Sequence, residues 1–228
     1  MSETKKYNWK NFVSFCLMAF LSGATIGISG TAFLLANNLY GAWGRLIGGA
    51  LFSLGIFFIV TYEKKLFTGM VANLPRMKRN ELWKLPICLL FNTIGVAIVA
   101  TLAAYTPIGE TVVAQGKLTI AAKLAADDWY LRVLCSSFLC GMLITMSVWS
   151  TEYAAKKGLS ASVGVMFPIM LFAFCGFDHS IANMLYFCYL GEASWKMFGY
   201  ILISVCGNVL GGVVMPLIMI VKEKAKNQ

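Results

Sequence analysis

Six apolar stretches, at about residues 12–36, 43–62, 85–105, 131–151, 160–188 and 196–221, are each long enough to cross a lipid bilayer as a helix. A span needs about 20 residues. Runs of this length exclude a disordered chain and leave no plausible water-soluble globule. Composition agrees: 13% of the 228 residues are charged, where a soluble domain carries about 25%. The spans leave roughly a hundred residues for loops and ends, too few for a large soluble domain. The expected fold is therefore an all-α membrane protein with six transmembrane helices, forming one domain over 1–228.

The charges predict an orientation. Fourteen of the nineteen basic residues fall on one side, among them Lys10, Lys64, Lys65, Arg76, Lys84 and Lys222. The other side holds five: Arg45, Lys117, Lys123, Arg132 and Lys196. By the positive-inside rule both termini are cytoplasmic, and the protein sits in the inner (cytoplasmic) membrane. The net charge of +9 follows from this bias, so no nucleic-acid partner is needed to explain it. Tryptophans fit the same map, with Trp9, Trp83 and Trp149 at cytoplasmic span ends and Trp43, Trp129 and Trp195 at outer ends. Indole favours the interface, where its ring is apolar and its N–H finds a partner. Lys5, Lys6 and Lys10 before an apolar run imitate a signal peptide. The run is too long for one and reads as a retained first helix. The seven cysteines form no CxxC pair and read as small buried apolar residues. No metal or cofactor site is legible, and residues 106–130 read as an outer loop.

Two spans are interrupted. The second is broken by Glu63-Lys64-Lys65 and resumes as Leu66-Phe67-Thr68-Gly69-Met70. The fifth is broken by Cys175-Gly176-Phe177-Asp178-His179-Ser180, which puts an acid and the chain's single histidine inside an apolar run. Irregular backbone at membrane depth is tolerated only where protein buries it or it lines a wet cavity. The breaks fall on the second span of each half, which predicts an inverted repeat of about 12–105 and 131–221 with paired broken helices. Gly23/Gly27, Gly44/Gly48 and Gly207/Gly211 have the small-xxx-small spacing of close helix pairs.

Two runs carry a family resemblance. One is Gly48-Gly49-Ala50-Leu51-Phe52-Ser53-Leu54-Gly55, followed by Leu66-Phe67-Thr68-Gly69. The other is Phe167-Pro168-Ile169-Met170, followed by Gly176-Phe177-Asp178-His179-Ser180-Ile181-Ala182-Asn183-Met184. The chain resembles the formate/nitrite transporter family, whose members are pentameric channels with an aquaporin-like protomer. The resemblance implies a homo-pentamer in a lipid bilayer that passes small monovalent anions such as formate, nitrite, hydrosulfide or lactate, with formate first. It puts the pore histidine at His179, the loop threonine at Thr68 and an asparagine of the same segment at Asn183. It puts the hydrophobic constrictions at Phe52, Ile56, Leu66, Phe67 and Phe172, and an anion-attracting lysine at Lys123. The chain departs from the family pattern at Lys65, where an acid is usual, and at Gly141, where an asparagine is usual. Only about eleven residues precede the first span, so gating by an amphipathic N-terminal helix is not expected.

A bare anion in a dry constriction costs tens of kcal/mol in the ideal limit. Protonating a weak acid removes most of that cost. Histidine is the side chain that titrates near neutrality, so the expected mechanism has Lys123 concentrate anions and Thr68 with His179 bind one at midplane. The anion then takes a proton from His179, or from water relayed through it. Each residue also has a plainer reading. Thr68 satisfies a helix end, Asn183 joins helices, Asp178 orients or packs, Lys123 is a solvated loop charge, and the apolar constriction residues are ordinary core. An ionisable group inside a span is functional by default. An enzyme is not expected, because consecutive Asp178-His179-Ser180 do not face one another on a helix. An aquaporin-type neutral-solute channel is the alternative, although no Asn-Pro-Ala tripeptide occurs.

Overall fold

The computed structural model describes residues 9–156, 161–191 and 193–226. Lys5, Lys6 and Lys157 lie outside the described residues. Among the described residues there are nine helices and no strand: α1 (Trp9–Leu39), α2 (Gly44–Thr61), α3 (Phe67–Val71), α4 (Lys84–Ala104), α5 (Gly109–Leu124), α6 (Trp129–Lys156), α7 (Ala161–Cys175), α8 (Ser180–Cys188) and α9 (Trp195–Lys226). Five are long and apolar enough to cross a membrane, and the pair α7 and α8, bent by 50°, makes the sixth span. The fold is the six-span, all-helical one expected, with its second and fifth spans broken.

The two halves interlock. In the first, α1 packs on α2 and α4; in the second, α6 packs on α7 and α9; α2 against α7 joins them. The short half-helices cross over. α3 packs against α6 and α9 of the other half, and α8 against α1 and α4.

One asparagine per half holds each break. Asn92 Oδ1 accepts the Phe67 amide at 2.8 Å, while its Nδ2 donates to Ala19 O at 2.7 Å and Lys65 O at 3.0 Å. Asn208 repeats this arrangement. Its Oδ1 accepts the Ser180 amide at 2.8 Å, and its Nδ2 donates to Ser137 O at 2.8 Å and Asp178 O at 2.9 Å. A half-helix that starts inside a bilayer has no water for its first amide, and the side-chain carboxamide replaces it.

These contacts require backbones at near-touching distance. A Cβ on Gly23 would collide with Asn92 O, and one on Gly141 with Asn208 O. A Cβ on Gly95 would strike Phe20 O, and one on Gly211 would strike Phe138 O. Position 141 therefore has no room for an asparagine unless α6 and α9 separate. The repeat is also written in the residues, as Phe20-Leu21-Ser22-Gly23 against Phe138-Leu139-Cys140-Gly141, and Asn92-Thr93-Ile94-Gly95 against Asn208-Val209-Leu210-Gly211.

Three expectations need correction. The 106–130 loop contains the 16-residue helix α5. It buries Gly109, Val112, Gly116 and Ile120, one face at helical spacing, and packs on α1 and α8. Trp149 lies towards the end of its span, but its ring does not open onto lipid headgroups: it is 4% exposed and covered by the Arg76 guanidinium, 5.3 Å from its ring centroid. Arg76 also pairs with Glu223 at 2.7 Å. Of the cysteines, only Cys16, Cys88 and Cys140 are buried; Cys135, Cys175, Cys188 and Cys206 are exposed.

Gly211→Ala is expected to lower the melting temperature of the detergent-solubilised protein by several degrees, because the methyl group must push α9 off α6. Gly199→Ala is the control. It sits in the same helix, its Cβ would meet Trp129 at an ordinary 3.7 Å, and the added helix propensity makes it neutral or slightly stabilising.

Candidate functional site: a vestibule ending on His179

The site forms where α7 stops short. Gly176 takes a left-handed conformation, φ 74°, which turns the chain out of the helix. Phe177 and Asp178 follow, and His179 becomes the N-cap of α8. Its Nδ1 accepts the Ala182 amide at 3.1 Å, and its Nε2 lies 3.0 Å from Thr68 Oγ1. A backbone amide can only donate, so Nδ1 carries no proton. The ring proton of the neutral imidazole is then on Nε2 and donates to Thr68 Oγ1. This leaves the Thr68 hydroxyl hydrogen free to donate in turn. The imidazole is stacked on Phe172, with centroids 5.8 Å apart at 14°, and meets the Phe52 ring at 6.3 Å and 71°.

The other break is the counterpart without a titrating group at the N-cap. Glu63 closes α2 in the left-handed region, φ 50°. Leu66, in the N-cap place that His179 holds in the second half, offers α3 no side-chain bond. Lys65 corresponds to Asp178: each backbone carbonyl is held by the asparagine of its half. The half-buried Lys65 side chain has no hydrogen-bond or ion-pair partner among the described residues.

Asp178 is a hub. Its carboxylate accepts from Lys123 Nζ at 2.6 Å, Ser136 Oγ at 2.6 Å, Tyr200 Oη at 2.5 Å and Asn183 Nδ2 at 3.0 Å. Its amide donates to Ser136 Oγ at 2.9 Å. A buried carboxylate needs this many donors to replace its hydration. Lys123 is thus no solvated loop charge: it projects from the last turn of α5 into an ion pair, with Nζ also 3.4 Å from Gly176 O. Asn183 Nδ2 donates to both Asp178 and Ser204 Oγ, the latter at 3.3 Å, so both of its N–H groups are spent.

A cavity of about 950 Å³ opens beside this cluster. Its walls include Arg45, Gln115, Thr119 and Lys123, and it reaches Phe52, Phe172, His179 and Asn183. Of the sequence-derived constriction residues, Phe52 and Phe172 line it. Ile56, Leu66 and Phe67, like Thr68, do not line it and are buried. The structure thus gathers His179, Thr68, Phe52 and Phe172 into one cluster, with Lys123 and Asn183 joined to it through Asp178. Sequence reasoning missed Tyr200, Ser136, Asn92 and Asn208. The twin Asn-x-x-Gly motifs were the available signal for the two asparagines.

A charged, half-polar cavity that ends on an imidazole between aromatic rings, within an interlocked repeat of broken helices, defines a membrane transport protein. Comparison with known proteins gives the family. The profile described as Formate/nitrite transporter matches residues 2–221, and the chain belongs to that family. It is 31% identical to "Uncharacterized transporter YrhG" of Bacillus subtilis (strain 168) over 230 residues, which cover 88% of this chain and 81% of that protein. It is 27% identical to "Formate channel FocA" of Haemophilus influenzae over 202 residues, covering 80% and 68% of the two chains. The solved structure "Pentameric formate channel with formate bound" superposes with a TM-score of 0.77 over 95% of this chain and 98% of that one, at 20% identity, a likeness of fold.

Asp178→Asn is expected to destabilise the protein by about 3 kcal/mol, because it strands Lys123 beside a neutral amide. The double variant Asp178→Asn/Lys123→Met is expected to recover part of this in the same thermal-unfolding measurement. A single variant as stable as the parent would show that the pair holds nothing.

Proposed function

We propose that the chain is a channel for small monovalent anions of weak acids, formate or nitrite first, and that they pass the constriction as the neutral acid. The observation that carries this reading is the bonding of His179. The cavity has cationic walls and ends on the imidazole, whose Nε2 partner is the buried Thr68 hydroxyl. The donors align as Ala182 N–H to Nδ1, Nε2–H to Thr68 Oγ1, and the Thr68 O–H to the permeating anion. The N-terminal end of α8 adds its partial positive charge.

The same geometry favours one of the two proton routes. Neutral His179 holds a single ring proton, on Nε2, and giving it up would leave an imidazolate. Taking a second proton at Nδ1 would break the cap on α8. The proton therefore comes from the outer solution as hydronium relayed through cavity water, so that water is regenerated and no hydroxide is left behind, and the anion leaves the cavity as the neutral acid. Beyond it, the buried Ile56, Leu66 and Phe67 exclude hydrated ions.

In this reading the face carrying α5 and the cavity is the outer one, both termini are cytoplasmic, and the protein is a homo-pentamer in the cytoplasmic membrane. One channel domain spans 1–228 as two repeats, about 12–105 and 131–221. The basic-residue bias supports the orientation, and the pentameric structural relative supports the assembly.

Purified protein in liposomes is expected to admit formate and nitrite faster as the outside pH falls from neutral to mildly acidic, since the protonated fraction rises. Thr68→Val is expected to cut this flux by about tenfold or more, the worth of one hydrogen bond to a charged group, while Thr68→Ser keeps most of it. Glycerol flux without anion flux would instead point to a neutral-solute channel.

A further inference from the structure

The ion pair between Lys123 and Asp178 changes which cation in the vestibule faces incoming solute. With Nζ at 2.6 Å from the carboxylate, Lys123 and Asp178 act together as a dipole, whose field falls off faster than that of a single charge. The remaining basic residue on the cavity wall is Arg45, the second residue of α2. Its guanidinium has no hydrogen-bond, ion-pair or aromatic partner among the described residues. It stands over the α7–α8 break, with one guanidinium nitrogen 3.9 Å from where a Cβ on Gly176 would lie.

Nothing in the local structure asks for an arginine there. A cation in the first turn of a helix opposes the helix dipole, and α2 has no acid in that turn. A basic residue on the outer face also runs against the positive-inside bias. Other charges on this face are engaged or lie elsewhere. Arg132 pairs with Asp128 at 2.6 Å. Lys196 bonds Leu124 O at 3.2 Å and sits over the Trp129 ring. Lys117 is not on the cavity wall. The half-buried Gln115 side chain lines the same cavity and has no partner among the described residues.

We propose that Arg45, rather than Lys123, is the residue that recruits anions, and that its guanidinium with the Gln115 carboxamide forms an outer subsite for a small planar oxyanion before the constriction. A guanidinium fork matches two oxygens of a carboxylate or nitrite, as an ammonium does not. Lys123 is then a positioning residue that holds Asp178 under the break. The inference rests on the anion-channel reading for its transport arm, and on binding alone for its second arm.

The test uses the full chain in liposomes, with formate influx read at low and high ionic strength. Arg45→Gln is expected to raise the half-saturating formate concentration roughly fivefold at low salt, the effect of one unit charge about 4 Å away in water. The maximal flux should stay unchanged. The difference should shrink markedly near 1 M salt, where screening acts within about 3 Å. Arg45→Lys should restore the salt dependence but not the full affinity, and Lys117→Gln should behave as the parent.

The second arm needs no transport. Trp43, 68% exposed, precedes Arg45 by two positions. Its fluorescence, isolated by difference against Trp43→Phe, should be quenched less by iodide in Arg45→Gln, with acrylamide quenching unchanged. An unaltered half-saturation and salt slope in Arg45→Gln, or an equal effect of Lys117→Gln, would overturn the proposal. If no formate enters through the parent protein, the channel reading fails while iodide quenching still decides the role of Arg45.

Discussion

A helix that begins halfway through a bilayer exposes amide groups that neither water nor its own carbonyls can satisfy. This chain does so twice, and much of its buried polar structure answers that demand. Asn92 and Asn208 each accept the first amide of a half-helix and tie its break to a neighbouring span. In the second half a further amide, that of Ala182, is taken by His179. That bond spends Nδ1 and turns the imidazole into a donor aimed at Thr68. In the proposed mechanism the histidine works through the direction of its hydrogen bond and the hydroxyl it orients, with its protonation state held fixed.

The charges are arranged around the same break. Asp178 lies one residue before the histidine, and four donors from four other segments hold it. An unpaired carboxylate there would repel the anions that the cavity is proposed to admit. Paired with Lys123, it stiffens the turn at little cost in local potential. The uncompensated positive charge falls to Arg45 at the wall. At the other break Lys65 takes the place that Asp178 holds, so the two breaks share a backbone scaffold and differ in charge.

The sequence made the lipid-facing architecture legible, because hydropathy and the basic-residue bias register contact with the bilayer directly. The six spans, both breaks and the meeting of His179 with Thr68 were readable, the last from the motif resemblance. Helix α5 was not, since Glu110, Gln115, Lys117 and Lys123 dilute its apolar character. Its signal was the narrow stripe Val112, Gly116, Ile120. The pairing of Lys123 with Asp178 was also hidden, because it joins residues 55 positions apart and no local pattern marks it. Trp149 misled because an indole at a span end looks the same whether lipid headgroups or Arg76 cover it. The repeat was in plain sight as paired Phe-Leu-x-Gly and Asn-x-x-Gly runs, yet a hydropathy profile does not distinguish an asparagine that bonds two backbones from any other polar residue.

The central claim, that His179 is a neutral Nε2–H donor with Nδ1 committed to the helix cap, can be read directly, since the chain contains one histidine. Nitrogen-15 NMR of the reconstituted, histidine-labelled protein resolves the two ring nitrogens. The account predicts one protonated nitrogen, Nε2, and an unprotonated Nδ1 throughout about pH 5 to 8, the range in which a free imidazole gains its charge. A ring that becomes doubly protonated within that range, or that carries its proton on Nδ1, would contradict it.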